Sequence, residues 1–543
     1  MNSTDPSEPQ AVAELPRPDV KRVIARNTLW NIAGRTWDAI AALVLTPYIV
    51  WRIGLSDYGV WGLSASFTGY IGLLDLGLAS GYAKYIAEHA ARNDPDRISG
   101  VVSTGVFCYA ILGAVLLAVG WPGIGFAVDW AGASLDASPR AASDMEFLFR
   151  GMLALFVVSN CLAPFSAVQT GLQRMDLSNA IGFFMSLIKV AATVALLETG
   201  FGVRGLLWAH AVVLGAFAVS CLVVARRLVP GLHVTPARWN RYDFRSLFSF
   251  GWRSQVARLS NIVTFETDVV LIGLLFRDMG LVGLYKVGVE LANKVRQIPV
   301  MLLAALIPAA SDLDARADHE RLQRLYVVST KYLSSVTVPL LLMTVALAGP
   351  LIRAWMGAGF ETSAWVLRII ALGYIANVLQ GAGLSIALGR GRADLQMGAG
   401  LISMIGNIAL TATLFLAIGF WGIPIATSLS LFISFAWFLR VMRSISGESA
   451  RAVVRKTMLW PVWASVPGFV LCAIVDDLTM EMAGRVPNGL VALLGGAGFA
   501  VIYLAIVRSS PFLDSFDMRF LVTTLRLGRV PGFESWARGP GKA

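Results

Sequence analysis

The stretch "IALGRGRADLQMGAGLISMIGNIALTATLFLAIGF", residues 386–420, decides the fold class because it joins a short basic loop to a long apolar run. After Asp394 it contains no Asp, Glu, Lys or Arg as far as residue 420. A helix needs about 20 predominantly apolar residues to cross the hydrocarbon core of a bilayer. The stretch therefore predicts a transmembrane helix that begins next to an Arg-containing loop.

The rest of the 543-residue chain has the same character, with 56% apolar and only 15% charged residues. Soluble domains carry about 25% charged residues. Because lipid cannot satisfy open backbone groups, we expect closed helices. The sequence predicts an all-α integral membrane protein with about fourteen transmembrane helices. The predicted spans lie near residues 27–51, 58–89, 98–128, 145–171, 178–199, 204–228, 246–276, 281–310, 324–351, 363–389, 394–418, 421–443, 457–477 and 488–508.

Several chemistries are not expected from this sequence. It contains no GxxxxGKS or GxxxxGKT phosphate loop, so we expect no ATPase activity of its own. Its four cysteines lie inside apolar runs without a CxxC pair, which is typical of small buried hydrophobes. We therefore expect no cofactor, no metal site and no disulfide.

The formal net charge of +11 is explained by membrane topology. Lys and Arg concentrate in the termini and in alternate loops, and such loops are cytoplasmic under the positive-inside rule. An even number of spans places both termini on the cytoplasmic side. We expect no nucleic-acid partner.

Local similarities indicate an internal repeat. "DPDRISGVVST" at 94–104 resembles "DHERLQRLYVVST" at 318–330, and "GLQRMD" at 171–176 aligns with "GRGRAD" at 389–394. One copy contains six spans, so the two copies share one orientation and form a parallel repeat. We predict two pseudo-symmetric six-helix lobes that face each other, plus two C-terminal helices. The predicted divisions are a disordered cytoplasmic tail at 1–20, an N-terminal lobe at 21–235, a C-terminal lobe at 236–445, spans 13 and 14 at 446–510 and a basic cytoplasmic tail at 511–543.

The segment "KVGVELANKVRQIP", residues 286–299, places charged and amide side chains inside an apolar span. Charges within a span are unfavourable and usually face a partner or a water-filled cavity. At 100° per residue, Lys286, Glu290, Asn293, Lys294 and Gln297 form one stripe about 100° wide, and Arg296 lies off its edge.

Three other predicted spans carry similar polar stripes. Like span 8, they are the first or second span of a repeat copy, so the four stripes meet in a hydrated, mixed-charge cavity if the copies face each other. The stripe residues are Asn27, Asn31, Arg35 and Asp38 in span 1, Ser64, Thr68, Asp75 and Tyr82 in span 2, and Ser249, Arg253, Ser260, Thr264 and Thr267 in span 7.

Structural roles stay open for several of these charges. Lys286–Glu290 and Glu290–Lys294 have the spacing of i,i+4 pairs that satisfy one another. Arg35 and Asp38 have the same alternative. Arg258, Glu266 and Asp268 lie off the span 7 stripe and are assigned to packing or to a partner helix. Arg368, near the outer end of span 10, is expected to snorkel.

Two longer stretches resemble a known family. "LTPYIVWRIGLSDYGVWGL", followed by "LLDLGLASGYAKYIAEH", is similar to the opening of bacterial polysaccharide transporters, the O-antigen and exopolysaccharide flippases. The stretch at 386–430 resembles a later signature of the same family. These transporters belong to the multidrug/oligosaccharidyl-lipid/polysaccharide exporter superfamily.

The resemblance implies a flippase of the bacterial inner membrane and no enzyme activity. Its substrate would be an oligosaccharide on undecaprenyl pyrophosphate, moved from the inner to the outer leaflet by alternating access for lipopolysaccharide or exopolysaccharide synthesis. Membrane lipid and the polymerase and glycosyltransferases of the same pathway would be its partners. Arg and Lys suit a pyrophosphate. The expected substrate-binding residues are Arg35, Arg253, Lys286, Lys294, Asn31, Asn293 and Gln297, and Asp38, Asp75 and Glu290 are expected to balance these charges or bind a coupling cation.

Three other functions remain open from the sequence. A multidrug/cation antiporter of the same superfamily would prefer an acidic and aromatic cavity. A lipid II flippase fits the count of fourteen spans. A membrane glycosyltransferase or polymerase would need a large outer loop, and the longest one here, near 129–144, is too short.

Overall fold

The computed structural model describes residues 20–75, 78–135, 139–443, 447–480, 482, 484–510 and 512. Within these ranges the chain is helical and contains no strand, which confirms the all-α prediction. The tails predicted at 1–20 and 511–543 lie outside the described residues except at Val20 and Phe512. The chain divides into two compact units, Met1–Leu259 and Ser260–Ala543.

Unit 1 contains seven complete helices within the described ranges. They are α1 (Val20–Ile53), α2 (Leu55–Ile71), α3 (Leu78–Ala91), α4 (Pro95–Leu135), α5 (Pro139–Gly171), α6 (Met175–Glu198) and α7 (Gly202–Leu228). The next helix, α8 (Arg241–Phe276), contains the division between the two units.

Unit 2 holds the second half of α8 and the helices that follow it. They are α9 (Met279–Val300), α10 (Leu306–Ala315), α11 (His319–Ala346), α12 (Ala348–Trp355), α13 (Glu361–Gly389), α14 (Ala393–Ile418), α15 (Gly422–Val441), α16 (Ala450–Thr457), α17 (Leu459–Leu478) and α18 (Arg485–Ser509).

Each predicted span coincides with helix, but some are interrupted. The second span, predicted as continuous over 58–89, is broken by a 3-10 turn at Gly72–Asp75, and the eighth is broken at Met301–Leu303, where the α-helix that contains Pro299 ends at Val300. A proline inside a helix removes one backbone donor and favours such a break. In the described part of the chain, eleven segments are long and apolar enough to cross a membrane. The chain is thus a multi-pass membrane protein, and the count of fourteen stays a prediction.

The two units share one packing scheme, as expected for a repeat. In unit 1, α5 is the central helix and packs against α2, α3, α4 and α7. In unit 2, α13 occupies the corresponding place and packs against α9, α10, α11 and α15. Small residues let the central helices approach their neighbours closely. A Cβ added at Gly151 would overlap Leu207 Cδ2, and one at Gly373 would lie 2.7 Å from Ser428 Cα. The lobe boundaries predicted at 235 and 445 stay a prediction.

The two C-terminal helices α17 and α18 pack on unit 2, with α17 against α11 and α18 against α12. Leu347, Cys472, Phe499 and Tyr503 form part of the apolar core between them. Arg368 was expected to snorkel. Its guanidinium donates to the carboxylate of Asp476 in α17, so a buried carboxylate on a neighbouring helix holds this charge.

Candidate functional site

The packing of helix α9 determines which way its predicted polar stripe faces. It begins after Asp278, whose carboxylate accepts hydrogen bonds from the backbone N–H groups of Gly280 (2.8 Å) and Leu281 (3.2 Å). At Gly288 the helix approaches α13 so closely that an added Cβ would lie 2.6 Å from the carbonyl oxygen of Ser363. The face around Tyr285 and Gly288 is therefore buried, and the polar stripe lies on the other side of the helix.

The two lysines of the stripe are each paired with one carboxylate. Lys286 Nζ lies 3.4 Å from Glu266 Oε2 of α8, and Lys294 Nζ lies 3.3 Å from Glu290 Oε1 one turn away on α9. The i,i+4 alternative thus holds for Glu290 and Lys294, whereas Lys286 reaches a second helix. The two ammonium side chains are only 20% and 23% exposed, so they are partly withdrawn from water.

Arg296 lies beside this stripe and is held more rigidly than the lysines. Its Nη1 donates to Asn377 Oδ1 at 3.0 Å. The guanidinium carbon lies 4.5 Å from the ring centroid of Tyr374 and 5.2 Å from that of Phe265, which are cation–π distances. Tyr374 in turn donates to Asn293 Oδ1 at 2.9 Å. The segment from Lys286 to Arg296 therefore presents three cations and one amide from a single helix.

A buried carboxylate joins α9 to the helices behind it. Asp268 of α8 is fully buried, and its Oδ2 accepts hydrogen bonds from Tyr285 (2.6 Å) and from Thr427 of α15 (2.6 Å). Thr427 accepts a hydrogen bond from Asn407 of α14 at 2.8 Å. Asp268 Oδ1 and Thr411 Oγ1 are buried without a hydrogen-bond partner among the described residues. Four helices of unit 2 thus meet at one carboxylate that keeps an unused oxygen.

The predicted residues fall into two groups. Lys286, Glu290, Asn293 and Lys294 lie together along α9, and Gln297 is exposed at the end of the same stripe. Asp38 is exposed and accepts a hydrogen bond from Ser186 of α6. Four predicted side chains lie outside the part of the chain whose side chains are described, namely Asn31, Arg35, Asp75 and Arg253. That the four stripes meet in one cavity stays a prediction.

Sequence reasoning missed one part of this arrangement and anticipated another. Arg296 lies off the edge of the stripe, and the angular argument gave it no role, although it is the third cation of the same short segment. Asp268 was assigned to packing or a partner helix, and that assignment agrees with its bonds to Tyr285 and Thr427. Among the described side chains, no group of three or more His, Cys, Asp and Glu is placed to hold a metal ion.

Comparisons with known proteins agree on one group. A family model described as "Polysaccharide biosynthesis protein" matches residues 53–365. The chain is 22% identical over 369 residues to the putative O-antigen transporter of Shigella flexneri, in a match that covers 66% of this chain and 82% of that protein.

Solved structures show the same fold. The lipid II flippase MurJ, in an inward closed conformation, superposes with a TM-score of 0.60 at 14% identity, over 90% of this chain and 99% of that one. A transporter of the MOP superfamily from Pyrococcus furiosus superposes with a TM-score of 0.57 at 17% identity, over 82% of this chain and 100% of that one.

Proposed function

Because this chain belongs to the polysaccharide biosynthesis protein family, we propose that it carries a lipid-linked oligosaccharide across the bacterial cytoplasmic membrane. The substrate would be an oligosaccharide on undecaprenyl pyrophosphate, and it would move from the inner to the outer leaflet for O-antigen or exopolysaccharide assembly. The chain acts as a transporter in this proposal and forms or breaks no covalent bond.

The observation that carries the proposal is the presence of Lys286 and Lys294 on one face of α9, with Arg296 held on another face of the same helix against Asn377 and Tyr374. Lys286, Lys294 and Arg296 lie within one membrane-embedded helix, where charges are rare and usually functional. A pyrophosphate is an anion that needs several donors. Transfer of a bare ion into hydrocarbon would cost tens of kcal/mol by idealised Born solvation. Fixed cations replace part of the lost hydration, while a polyprenyl tail can stay in the lipid.

The pairing of each lysine with a carboxylate fits a site that must also release its substrate. Glu266 and Glu290 lie within ion-pair distance of Lys286 and Lys294 and neutralise their charges. A pyrophosphate competes with these carboxylates for the ammonium groups, and its departure restores the ion pairs. Arg296 differs because Tyr374, Phe265 and Asn377 hold it in place, so it supplies a fixed donor for the phosphate or the adjoining sugar.

Alternating access would complete the cycle. In this proposal the two lobes expose a shared site first to the cytoplasm and then to the outer face, with both termini in the cytoplasm. Arg35, Arg253 and Asn31 are proposed to contribute from the other polar stripes. Asp38, Asp75 and Glu290 stay candidates for charge balance or ion coupling.

Asp268 is the better candidate for coupling to an ion gradient. It is a carboxylate buried among hydroxyl and amide groups, and one of its oxygens has no partner among the described residues. A proton or a monovalent cation at that oxygen would change the balance of charge between α8, α9, α14 and α15. The proposal therefore assigns coupling to Asp268 and substrate binding to the α9 cations.

The test is complementation of a strain that lacks the gene. Lys286→Gln, Lys294→Gln and Arg296→Gln should each lower surface polysaccharide by about tenfold to a hundredfold, since a hydrogen bond to a charged group contributes about 1.5–3 kcal/mol. Lipid-linked oligosaccharide should accumulate on the inner leaflet. The matched control is Arg316→Gln, because Arg316 is exposed and pairs with Asp312 away from α9. Full export by all three variants would contradict the proposal.

The same strains distinguish the proposed flippase function from that of a multidrug/cation antiporter. Its substrate would prefer the carboxylates Glu266 and Glu290, so the lysine variants would retain or increase ethidium efflux. A flippase gives no ethidium efflux in a host without other pumps, whichever residue is changed.

A further inference from the structure

The two C-terminal helices are joined to unit 2 by a buried ionic cluster. Asp476 of α17 is 6% exposed and uses both carboxylate oxygens. Arg353 of α12 donates to Oδ1 at 3.1 Å, and Arg368 of α13 donates to Oδ2. Arg353 also donates through Nε to Asn488 Oδ1 of α18 at 2.9 Å. The carboxylate thus connects α17 to α12 and α13, and Arg353 extends the cluster to α18.

The cluster is completed by contacts at the start of α18. The side-chain amide of Asn488 donates to the carbonyl oxygens of Met482 (2.9 Å) and Gly484 (2.8 Å), so the turn between α17 and α18 is fixed as well. Arg485 donates to the carbonyl oxygen of Met356 at 3.0 Å. The pair α17–α18 is therefore fastened at its turn to both α12 and α13.

The other end of the helix pair is fastened too. The Tyr503 hydroxyl of α18 donates to the carbonyl oxygen of Ser335 in α11 at 2.9 Å, and the Ser334 hydroxyl donates to the carbonyl oxygen of Thr457 just before α17. Between the two ends, a Cβ added at Gly495 would lie 3.0 Å from Leu347 Cδ2. The interface leaves little room for sliding.

The charges make separation of these helices unfavourable. Two guanidinium groups and one carboxylate are already withdrawn from water, and removal of the carboxylate would leave two unpaired cations in an apolar region. Movement of α17 away from α12 and α13 would have the same effect, because it would take the Asp476 carboxylate away from Arg353 and Arg368. By contrast, the pairs of Lys286 and Lys294 on α9 are more exposed and can open.

We infer that α17 and α18 stay fixed to the rest of unit 2 throughout the transport cycle, and that Asp476 is the residue that locks them there. The inference rests on the proposed function only where it refers to a transport cycle. The two helices are then part of the body of unit 2 and do not open as a gate.

The structure provides a site for a cross-link that tests this directly. A Cβ added at Gly489 of α18 would lie 3.9 Å from Ala354 Cβ of α12, within the Cβ–Cβ range of disulfides. Ala354→Cys with Gly489→Cys in the full-length protein should form a disulfide rapidly and almost completely in native membranes. Peptide mapping separates this bond from any that involves the native cysteines. Slow or partial formation would overturn the inference, and this readout does not depend on export.

Export supplies the second readout. The oxidised pair should support surface polysaccharide within twofold of the same protein kept reduced. A tenfold loss on oxidation that a reductant restores would show that the helices must separate, and would overturn the inference. Failure of the unmodified chain to restore export would instead contradict the proposed function, and the rate of disulfide formation would still decide the inference.

The role of Asp476 is tested in the same cysteine background. Asp476→Ala should slow disulfide formation at least fivefold, because the turn of α17–α18 loses its lock. Asp477→Ala is the matched control, since the neighbouring carboxylate is exposed, and it should leave the rate unchanged. Equal rates for the two variants would show that Asp476 is not the lock.

Discussion

Lys286 and Lys294 contribute little to the stability of the fold, and this bears on their role. Their ion pairs are between 20% and 36% exposed, and pairs of that kind contribute about 0.2–1 kcal/mol after solvent screening. Two apolar side chains on a lipid-embedded helix would serve stability better. This agrees with the proposed role of the two lysines in substrate binding, whereas the deeper ion pairs of Asp476 join neighbouring helices.

Arg296 should not be replaceable by lysine. A lysine keeps the charge but cannot both donate to Asn377 and place a planar group over Tyr374 and Phe265. We expect Arg296→Lys to lower export about tenfold, which corresponds to about 1.4 kcal/mol, at an unchanged protein level. Surface polysaccharide and an immunoblot of membranes measure this. Arg316→Lys is the conservative control, and equal export by the two variants would show that charge alone is sufficient.

Two substitutions of Asp268 should distinguish its proposed role in ion coupling from its contribution to the stability of the fold. Asp268→Asn keeps an acceptor for Tyr285 and Thr427, so the protein should accumulate normally while export and its dependence on the ion gradient are lost. Asp268→Ala should also lower the free energy of unfolding by about 1–3 kcal/mol, because the buried hydroxyl of Tyr285 loses its acceptor and Thr427 keeps only the carbonyl oxygen of Ile423. Thermal stability in detergent, read by size exclusion, distinguishes the two variants. Normal export by Asp268→Asn would remove Asp268 from the mechanism.

At the scale of single elements, hydropathy predicted where helices lie but not where they break. The helix pair α2–α3 reads as one apolar run, because Gly72 and the leucines after it are as apolar as a continuous helix would be. The break depends on backbone geometry that hydropathy does not record. The stripe on α9 was predictable because helix periodicity alone fixes its angles, whereas the partners Glu266, Asn377 and Tyr374 come from other helices and were not.

Gly288 is the position where α9 depends most on its neighbour. A Cβ there would lie 2.6 Å from Ser363 O and 2.9 Å from Val366 Cβ, so any side chain must push α9 away from α13. We expect Gly288→Leu to destabilise the protein by about 1–3 kcal/mol, as overpacking usually does, and to abolish export by displacing Lys286 and Lys294.

The matched control for that change is Gly215→Leu in α7. A Cβ at Gly215 meets no atom within 4 Å, so the added leucine should leave both thermal stability and export near wild type. Loss of function in both variants would indicate that helix glycines of this protein do not tolerate leucine in general. The effect of Gly288→Leu could then not be attributed to the α9–α13 contact.

At the scale of the whole molecule, local sequence similarities predict a repeat, and the similar packing around α5 and α13 agrees with that prediction. The short matches at 94–104 and 318–330 fix the order of the helices, and the central places of α5 and α13 follow that order. The attachment of α17 and α18 was not predictable, because Asp476, Arg353 and Arg368 are far apart in sequence and each reads as an isolated charge near a helix end. Only the fold shows that they share one partner.

The orientation of the chain rests on its charge pattern, and reporter fusions test it. Lys and Arg concentrate in the termini and alternate loops, so a green fluorescent protein placed after Ala543 should fluoresce in the cytoplasm. The turn between α12 and α13, which contains Gly357 and Gly359, should then face the periplasm, and alkaline phosphatase inserted there should be active. The turn between α13 and α14, with Arg390 and Arg392, should give an inactive phosphatase. The opposite result at these positions would contradict the cytoplasmic placement of both termini, because the Arg-containing turns would then face the periplasm against the positive-inside rule.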